Sequence, residues 1–520
     1  MNVLASVRVM PSFCLLLAGL AHGDPAGEAE TSRLWGKDGE KWRPAGRLPD
    51  FSYAGYHRGE RPLPRLRPEA SVGDFGAVGD GRTDDTAAFK RALTEAAGKV
   101  IAIPAGRYVI TGILEIQHSG TVLQGEGPDK SVILAPKPLE KIRSNRSAKT
   151  NSWLASKYSW CGGIIWATGL WEDKLLAKVT ATARRGESSL VVDKPASFQV
   201  GDEVRLILND DAKHTLVHHL YAGDPGDITN LKDVKETWIA RVVKVDLGKR
   251  EIAFDRSLRT DVRPEWKPEL YPARSSVEEV GIEHLAFEFP ATPYGGHFTE
   301  LGNNAIEFKD IRNGWVRDIK VHNADSGVFI GGANSTVTGV VLTSARKPNP
   351  LRTSTGHHGI SLKGTDLLLA HFDFRTKFIH DITMVRRSAG NAVHSGRGID
   401  LAFDHHKYAN HANLFTDIDA GVGTNIFHSG GGAKLGRNCG AWSTWWNIRT
   451  QRPVRFPARW APEMINIIGV RPKGKSQTAL DGRWYEGIEP AKLRPQNLYE
   501  AQLKRRLGAM PPSRQGAAPR

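Results

Sequence analysis

The residue types best suited to proton transfer and anion binding gather in one stretch of the chain. Between 350 and 450 lie His357-His358-Gly359-Ile360-Ser361-Leu362-Lys363, Arg375-Thr376-Lys377-Phe378-Ile379-His380-Asp381, Arg397-Gly398-Ile399-Asp400, Asp404-His405-His406-Lys407 and His428. Half of the 18 histidines fall between 357 and 428. Imidazoles exchange protons near neutral pH, and arginines pair with carboxylates. The inventory suits β-elimination from a uronic acid, in which the proton beside the carboxylate is removed and the 4-linked sugar leaves. A general base contributes about 10²–10⁴-fold to such a step, so a cation must also neutralise the carboxylate. Arg397 is the candidate for that charge, and Lys377, His358, His380 or His405 for the proton. His357, Arg375, Asp400, Asp404 and His406 are placed beside them as substrate-binding residues, with Trp445 as a sugar-stacking platform.

Each assignment has a structural rival. Asp381 and Asp417 share a local pattern with Asp318 (Arg317-Asp318-Ile319, His380-Asp381-Ile382, Thr416-Asp417-Ile418), which suits turn residues. Asn391-Ala392-Val393-His394-Ser395-Gly396 recurs as Asn425-Ile426-Phe427-His428-Ser429-Gly430, so His394 and His428 read equally as stacked structural rings. Lys377 and Arg397 have no such equivalents. A hydrolase would instead need two carboxyl groups across the scissile bond, with Asp400 and Asp404 or Asp419 as the pair. The same aspartates could chelate calcium, but they form no compact ligand loop. No metal ligand and no cofactor is assigned, with calcium kept as an option.

The elements that must position these residues are short. Apolar strand centres at 306, 328, 360, 392 and 426 are spaced by 22 and then by 32 to 34 residues, without intervening helices. That spacing describes a solenoid of bare and loop-bearing coils rather than βαβ units. Upstream, Val72-Gly73-Asp74-Phe75-Gly76-Ala77-Val78-Gly79-Asp80-Gly81-Arg82-Thr83-Asp84-Asp85-Thr86 leads into a helix with apolar Ala88, Leu93 and Ala96, and Val100–Ile110 reads as strand, turn and strand. Over roughly 70–135 the chain resembles the opening of the pectate-lyase-like superfamily, which includes rhamnogalacturonase- and epimerase-like proteins. The resemblance implies an all-β, right-handed parallel β-helix whose first coil is plugged by one helix. Polygalacturonases are similar at Gly356-His357-His358-Gly359-Ile360-Ser361, Asn323-Ala324-Asp325 and Arg375-Thr376-Lys377. Their consecutive aspartates on the following coil are missing, where Gly327-Val328-Phe329-Ile330-Gly331-Gly332 stands.

The expected organisation is a signal peptide (1–23), an extended arm (24–70), the capping helix and first coils (71–139), a β-rich insertion (140–275), the β-helix with its groove loops (276–472) and a polar tail (473–520) with a helix over Tyr499–Leu507. The signal reading rests on Arg8, the apolar stretch Val9–Leu20 and Ala21-His22-Gly23, with cleavage near Gly23 and a secreted or periplasmic destination. Three cysteines exclude a disulfide scaffold. The net charge of +15 favours a polyanionic partner, but lysines and arginines are interleaved with acids, which argues against a nucleic-acid arm. The partner expected is an acidic polysaccharide, cleaved by a lyase. A hydrolase and a non-catalytic carbohydrate-binding β-helix are the alternatives.

Overall fold

The computed structural model describes residues 28–146, 155–351, 353–474, 478 and 482–508. The expected signal segment and the basic residues after 508 lie outside them. Within them the chain winds into a right-handed parallel β-helix.

One parallel sheet, sheet 1, stacks Leu114–Ile116, Ile165–Thr168, Asn304–Arg312, Ser326–Ala333, Gly356–Thr365, Phe378–Met384 and Phe403–His405 in that order. Ile306, Val328, Ile360, Ile382 and Phe403 lie in register across five coils, all essentially inaccessible. Because strand side chains alternate, the next residues form a second row facing away from the core: Glu307, Phe329, Ser361, Thr383 and Asp404. The expected strand series departs from this. Residue 392 belongs to the other sheet, and the coils at Ile382 and Phe403 follow the bare-coil spacing. The Asn–His–Ser–Gly repeat therefore joins two non-equivalent places, because loops of different length interrupt the regular coil.

The second sheet, sheet 2, carries longer strands that bend midway, including Gly281–Glu288, Trp315–His322, Thr336–Thr343, Ala392–Gly398, Leu414–Asp419, Thr444–Arg449 and Asn466–Val470. The bend is made by one left-handed residue per coil: His284, Asp318, Gly339, His371, Ser395, Asp417, Asn447 and Gly469. Gly, Asn and Asp tolerate positive φ best, and side-chain bonds along the row hold the others. His284 Nδ1 lies 2.8 Å from Asp318 Oδ2, and Ser395 Oγ donates to Asp417 Oδ2 at 3.1 Å. Asp318 and Asp417 are thus the turn residues expected, whereas Asp381 lies on sheet 1.

The helix Thr86–Glu95 buries Ala88, Phe89, Ala92 and Leu93 against the first coils. Residues 177–272 hold a separate six-stranded antiparallel sheet with its own core; Ile165–Thr168, upstream of it, belongs to the solenoid. A buried charge network docks this unit on the helix. Asp366 accepts from Arg256 Nη1 at 2.7 Å and Arg259 Nη2 at 2.6 Å, Arg259 Nη1 donates to Glu236 at 3.1 Å, and His411 Nε2 stands 3.2 Å from the same carboxylate. The arm is not a free extension. Trp35, Leu48 and Phe51 pack with Leu498, Tyr499 and Leu503 of the terminal helix Leu498–Leu507 over Leu368, Ala392, Leu414, Trp446 and Ile468. Those outward apolar residues of sheet 2 need a cover, and the two chain ends together provide it.

Candidate active site

Gly359 faces Phe374 of the core beside Ile360, so the alternation breaks there and His358 and His380 join the outward side of sheet 1 in a cluster of imidazoles. His358 and His380 occupy the same register position on adjacent strands, with ring centroids 5.2 Å apart. His357 lies 4.0 Å from His358, His428 stacks on His380 at 5.6 Å, and His406 stands 5.6 Å from His380 and 6.3 Å from His358. The exposed His297, from the preceding loop, approaches His357 to 4.5 Å. His357, His358 and His380 are buried, whereas His406 and His428 are half-buried.

Asp404 anchors the cluster from beneath. Its Oδ2 lies 2.8 Å from His406 Nδ1 and 3.5 Å from His380 Nδ1, and its Oδ1 accepts the Gly430 N–H at 2.8 Å. Burial opposes its ionisation, but the facing His380 and His406 rings and the Gly430 N–H outweigh burial and hold the carboxyl well below the usual range. Burial likewise opposes protonation of His406, and Asp404 overcomes it and raises the pKa above the ordinary value. At His357 and His358 burial leads and the neighbouring imidazoles add to it, so both fall well below that value, and at His380 burial outweighs Asp404 and lowers it to about 3. Thr383 Oγ1 lies 3.1 Å from His358 Nδ1 and fixes that ring.

The segment over the cluster is braced by the antiparallel unit. Gly436 N donates to Asp227 O, Asn230 N to Lys434 O, and Arg437 to Asp224. This holds Gly430 against the rings: a Cβ there would stand 2.7 Å from His406 Cε1 and 3.1 Å from His380 Nε2. Only glycine fits that approach.

Beside the cluster, with His428 in its wall, lies a pocket of about 320 Å³. Lys377 Nζ donates to Asp400 Oδ2 there at 2.7 Å, and Thr424 N donates to the other oxygen at 2.8 Å. Burial works against ionisation of Asp400, and Lys377 and Thr424 prevail, lowering its pKa. Asp381 also borders the pocket but is fully buried. It accepts from Phe378 N and Ala402 N, and burial lifts it to about 7. It staples two coils together. A larger cavity of about 900 Å³ lies over the bend of sheet 2 and contains none of the residues assigned above to acid–base chemistry.

The expected site residues thus divide. His357, His358, His380, Asp404 and His406 come together, and Lys377 and Asp400 form the neighbouring pocket. Arg397 and Arg375 do not join them: both bind Asp373, at 2.9 and 2.8 Å, from sheet 2 and the turn after it, and both are largely exposed. His405 points the other way, into the core among Phe415, Trp445 and Trp460, and burial lowers it to about 4. Trp445 is fully buried and stacks parallel to Phe415, so it cannot serve as a sugar platform. Alternation explains both corrections: His405 follows the outward Asp404 on sheet 1, and Trp445 precedes Trp446, which faces out of sheet 2 toward the two chain ends. His297 and Glu300 were missed because they sit in a loop outside the repeat. Glu300, buried at Oε1 3.5 Å from His357 Nδ1, is raised to about 7 by that burial. Cys161 and Cys439 are unpaired thiols.

Residues 70–158 match the family described as "Rhamnogalacturonase A/epimerase, pectate lyase-like". Over that stretch the chain is similar to pectate-lyase-like proteins, and the coils described above make it a parallel β-helix. A 63-residue stretch of the chain is 43% identical to the pre-neck appendage protein of Bacillus phage B103, covering 12% of this chain and 7% of that one. The chain thus spans only a small part of that relative's length. Among solved structures it resembles the Gp54 tailspike of Acinetobacter baumannii bacteriophage AP22, in complex with A. baumannii capsular saccharide. The identity is 10% over 77% of this chain and 69% of that one, with a TM-score of 0.32. It also resembles a hyperthermoactive exopolygalacturonase from Thermotoga maritima (12% identity, 78% and 77% of the two chains, TM-score 0.30). Among the described residues of the β-helix, no helix is long and apolar enough to cross a membrane.

Proposed function

We propose that this β-helix is an exported enzyme that cleaves a uronate-containing polysaccharide by β-elimination on the outward face of sheet 1. The observation that carries the reading is the division of groups around the cluster. The imidazoles of His358, His380, His406 and His428 meet on that face with Lys363, Lys377 and Lys407 nearby along the same strands and turns. The carboxylates are withdrawn: Asp404 and Asp381 are buried, and Asp400 is ion-paired. A hydrolase needs two carboxyl groups open to one bond; an elimination needs a base and a cation.

In this scheme His358, its Nδ1 held by Thr383, accepts the C5 proton of the sugar. The C5–H electron pair becomes the C4–C5 double bond as the C4–O4 bond breaks, and the departing oxygen takes a proton from solvent. His406 and the adjacent Lys407 receive the substrate carboxylate, which bears charge as the proton leaves. The role first given to Arg397 passes to them. The net charge of +15 draws an anionic chain to the surface, and the matched family description names enzymes of pectic polysaccharides. Export would use residues 1–23, with cleavage near Gly23.

The test is incubation with a panel of uronate polysaccharides, reading ultraviolet absorbance and new reducing ends on the same samples. The reading expects both to rise together as unsaturated uronate forms. Reducing ends without absorbance would replace it with hydrolysis. Saturable binding with neither signal would replace it with a carbohydrate-binding role.

A further inference from the structure

The same cluster contains a donor set, including His380, to which the elimination scheme assigns no proton transfer or substrate contact. Three rings, those of His297, His357 and His380, each present a nitrogen within 4.8 Å of the other two. His357 and His380 are at least nine-tenths buried; neither ring nitrogen of His380 makes a hydrogen bond, and His357 has only a loose contact with the Ser159 backbone. Burying a polar nitrogen without a partner costs stability, and here the cost falls on two adjacent rings with centroids 5.5 Å apart. We propose that His297, His357 and His380 bind one divalent transition metal ion of the zinc class.

Three further features agree. Each buried ring has a carboxylate oxygen 3.5 Å from Nδ1, Glu300 for His357 and Asp404 for His380. That leaves both Nε2 atoms for a metal, in the carboxylate–histidine–metal arrangement that orients imidazole ligands. Gly430 leaves open the space beside His380 Nε2 that a Cβ would enter at 3.1 Å. Burial keeps both rings in the neutral form that ligates. The donors are all nitrogen, which suits zinc, copper or nickel and not calcium or magnesium, whose sites are built from oxygen. Three protein nitrogens leave the fourth position of a tetrahedral ion open at the exposed His297 side. The proposal shares residues with the reaction above but does not rest on it.

The test uses the full chain without an affinity tag, stripped with a chelator and titrated with Zn²⁺ against a chromogenic competitor, and separately with Co²⁺ read in the visible. One equivalent of Zn²⁺ should bind, with tetrahedral-type Co²⁺ absorption and a rise in unfolding temperature that Ca²⁺ does not reproduce. His297→Ala changes an exposed loop residue and should leave the fold intact while weakening Zn²⁺ by about 10–100-fold. His357→Ala should do the same, and His406→Ala should leave affinity unchanged. Absence of stoichiometric uptake would overturn the site. So would uptake indifferent to His297→Ala, or uptake lost with His406→Ala alone, which would move the ion to His380, Asp404 and His406. Because binding is read directly, the outcome is independent of whether the elimination reading survives.

Discussion

Asp404 Oδ2 lies 2.8 Å from His406 Nδ1, and the carboxylate is completely buried while the imidazole is one-third exposed. A buried negative charge at the base of the cluster thus supports a polar ring at its surface. The pairing fixes His406 in orientation. The remaining Asp404 oxygen ties down Gly430 from the segment above.

Replacing Asp404 with Ala removes the acceptor for His406 and for the Gly430 N–H together. Breaking a buried, hydrogen-bonded ion pair by deleting one partner costs about 3–5 kcal/mol. We expect Asp404→Ala to lower the unfolding free energy by that amount, read from denaturant titration, and to abolish turnover. Asp404→Asn, which retains an acceptor for Gly430, should recover part of the stability and little of the activity. Equal stability of Asp404→Ala and the parent would contradict this assignment.

Asp366 performs the corresponding task where the antiparallel unit docks. It satisfies Arg256 and Arg259 in a site where all three side chains are buried. Asp366→Ala leaves the Arg256 guanidinium without its carboxylate and Arg259 with Glu236 alone, with an expected loss of about 3–5 kcal/mol. Limited proteolysis should then cut first within 177–272, since docking weakens before the solenoid does.

His219 makes that docking sensitive to acid. Its ring lies 5.3 Å from Trp266 of the antiparallel unit and 5.6 Å from Trp442 of the coil, and its Nε2 accepts the Asp261 N–H at 3.3 Å. Burial lowers its pKa from 6.5 to about 4. The folded chain therefore binds this proton more weakly than the unfolded chain. Its contribution is complete above 6.5 and is lost as pH falls toward 4. Thermal unfolding should move to lower temperature across that window. His219→Gln, whose amide oxygen can still accept from Asp261, should flatten part of the dependence.

Much of the fold was legible in the sequence because a solenoid repeats its physics. Ile306, Val328 and Ile360 recur at coil spacing, and the glycines before Thr86 mark the helix that closes the first coil. The arm was misread because Trp35 and Phe51 bury themselves against a distant terminal helix, a contact no local pattern encodes. At the site, chemical type identified His358, His380 and His406, whereas strand parity decided which neighbours join them. His405 and Trp445 turn inward for that reason. Arg397 follows a different sheet altogether, so proximity in sequence to His380 did not become proximity in space.

Trp445 gives a direct check on that parity argument. It is inaccessible and packed against Phe415, His405, Phe427 and Trp460. Trp445→Ala should cost about 3–5 kcal/mol through the cavity it leaves. Saccharide affinity of the folded fraction should be unchanged. A selective loss of binding with unaltered stability would restore the sugar-platform assignment.

The central claim is that acid–base chemistry resides in the imidazoles of sheet 1 and not in the arginines of sheet 2. The most direct test is the initial rate of unsaturated-uronate formation by His358→Ala and Arg397→Ala under identical conditions, after confirming that both unfold like the parent. The account predicts a fall of about 10²–10⁴-fold for His358→Ala, the range of a lost general base, with Arg397→Ala within a few-fold of the parent. Full activity in His358→Ala, with the loss appearing at Arg397 instead, would contradict it.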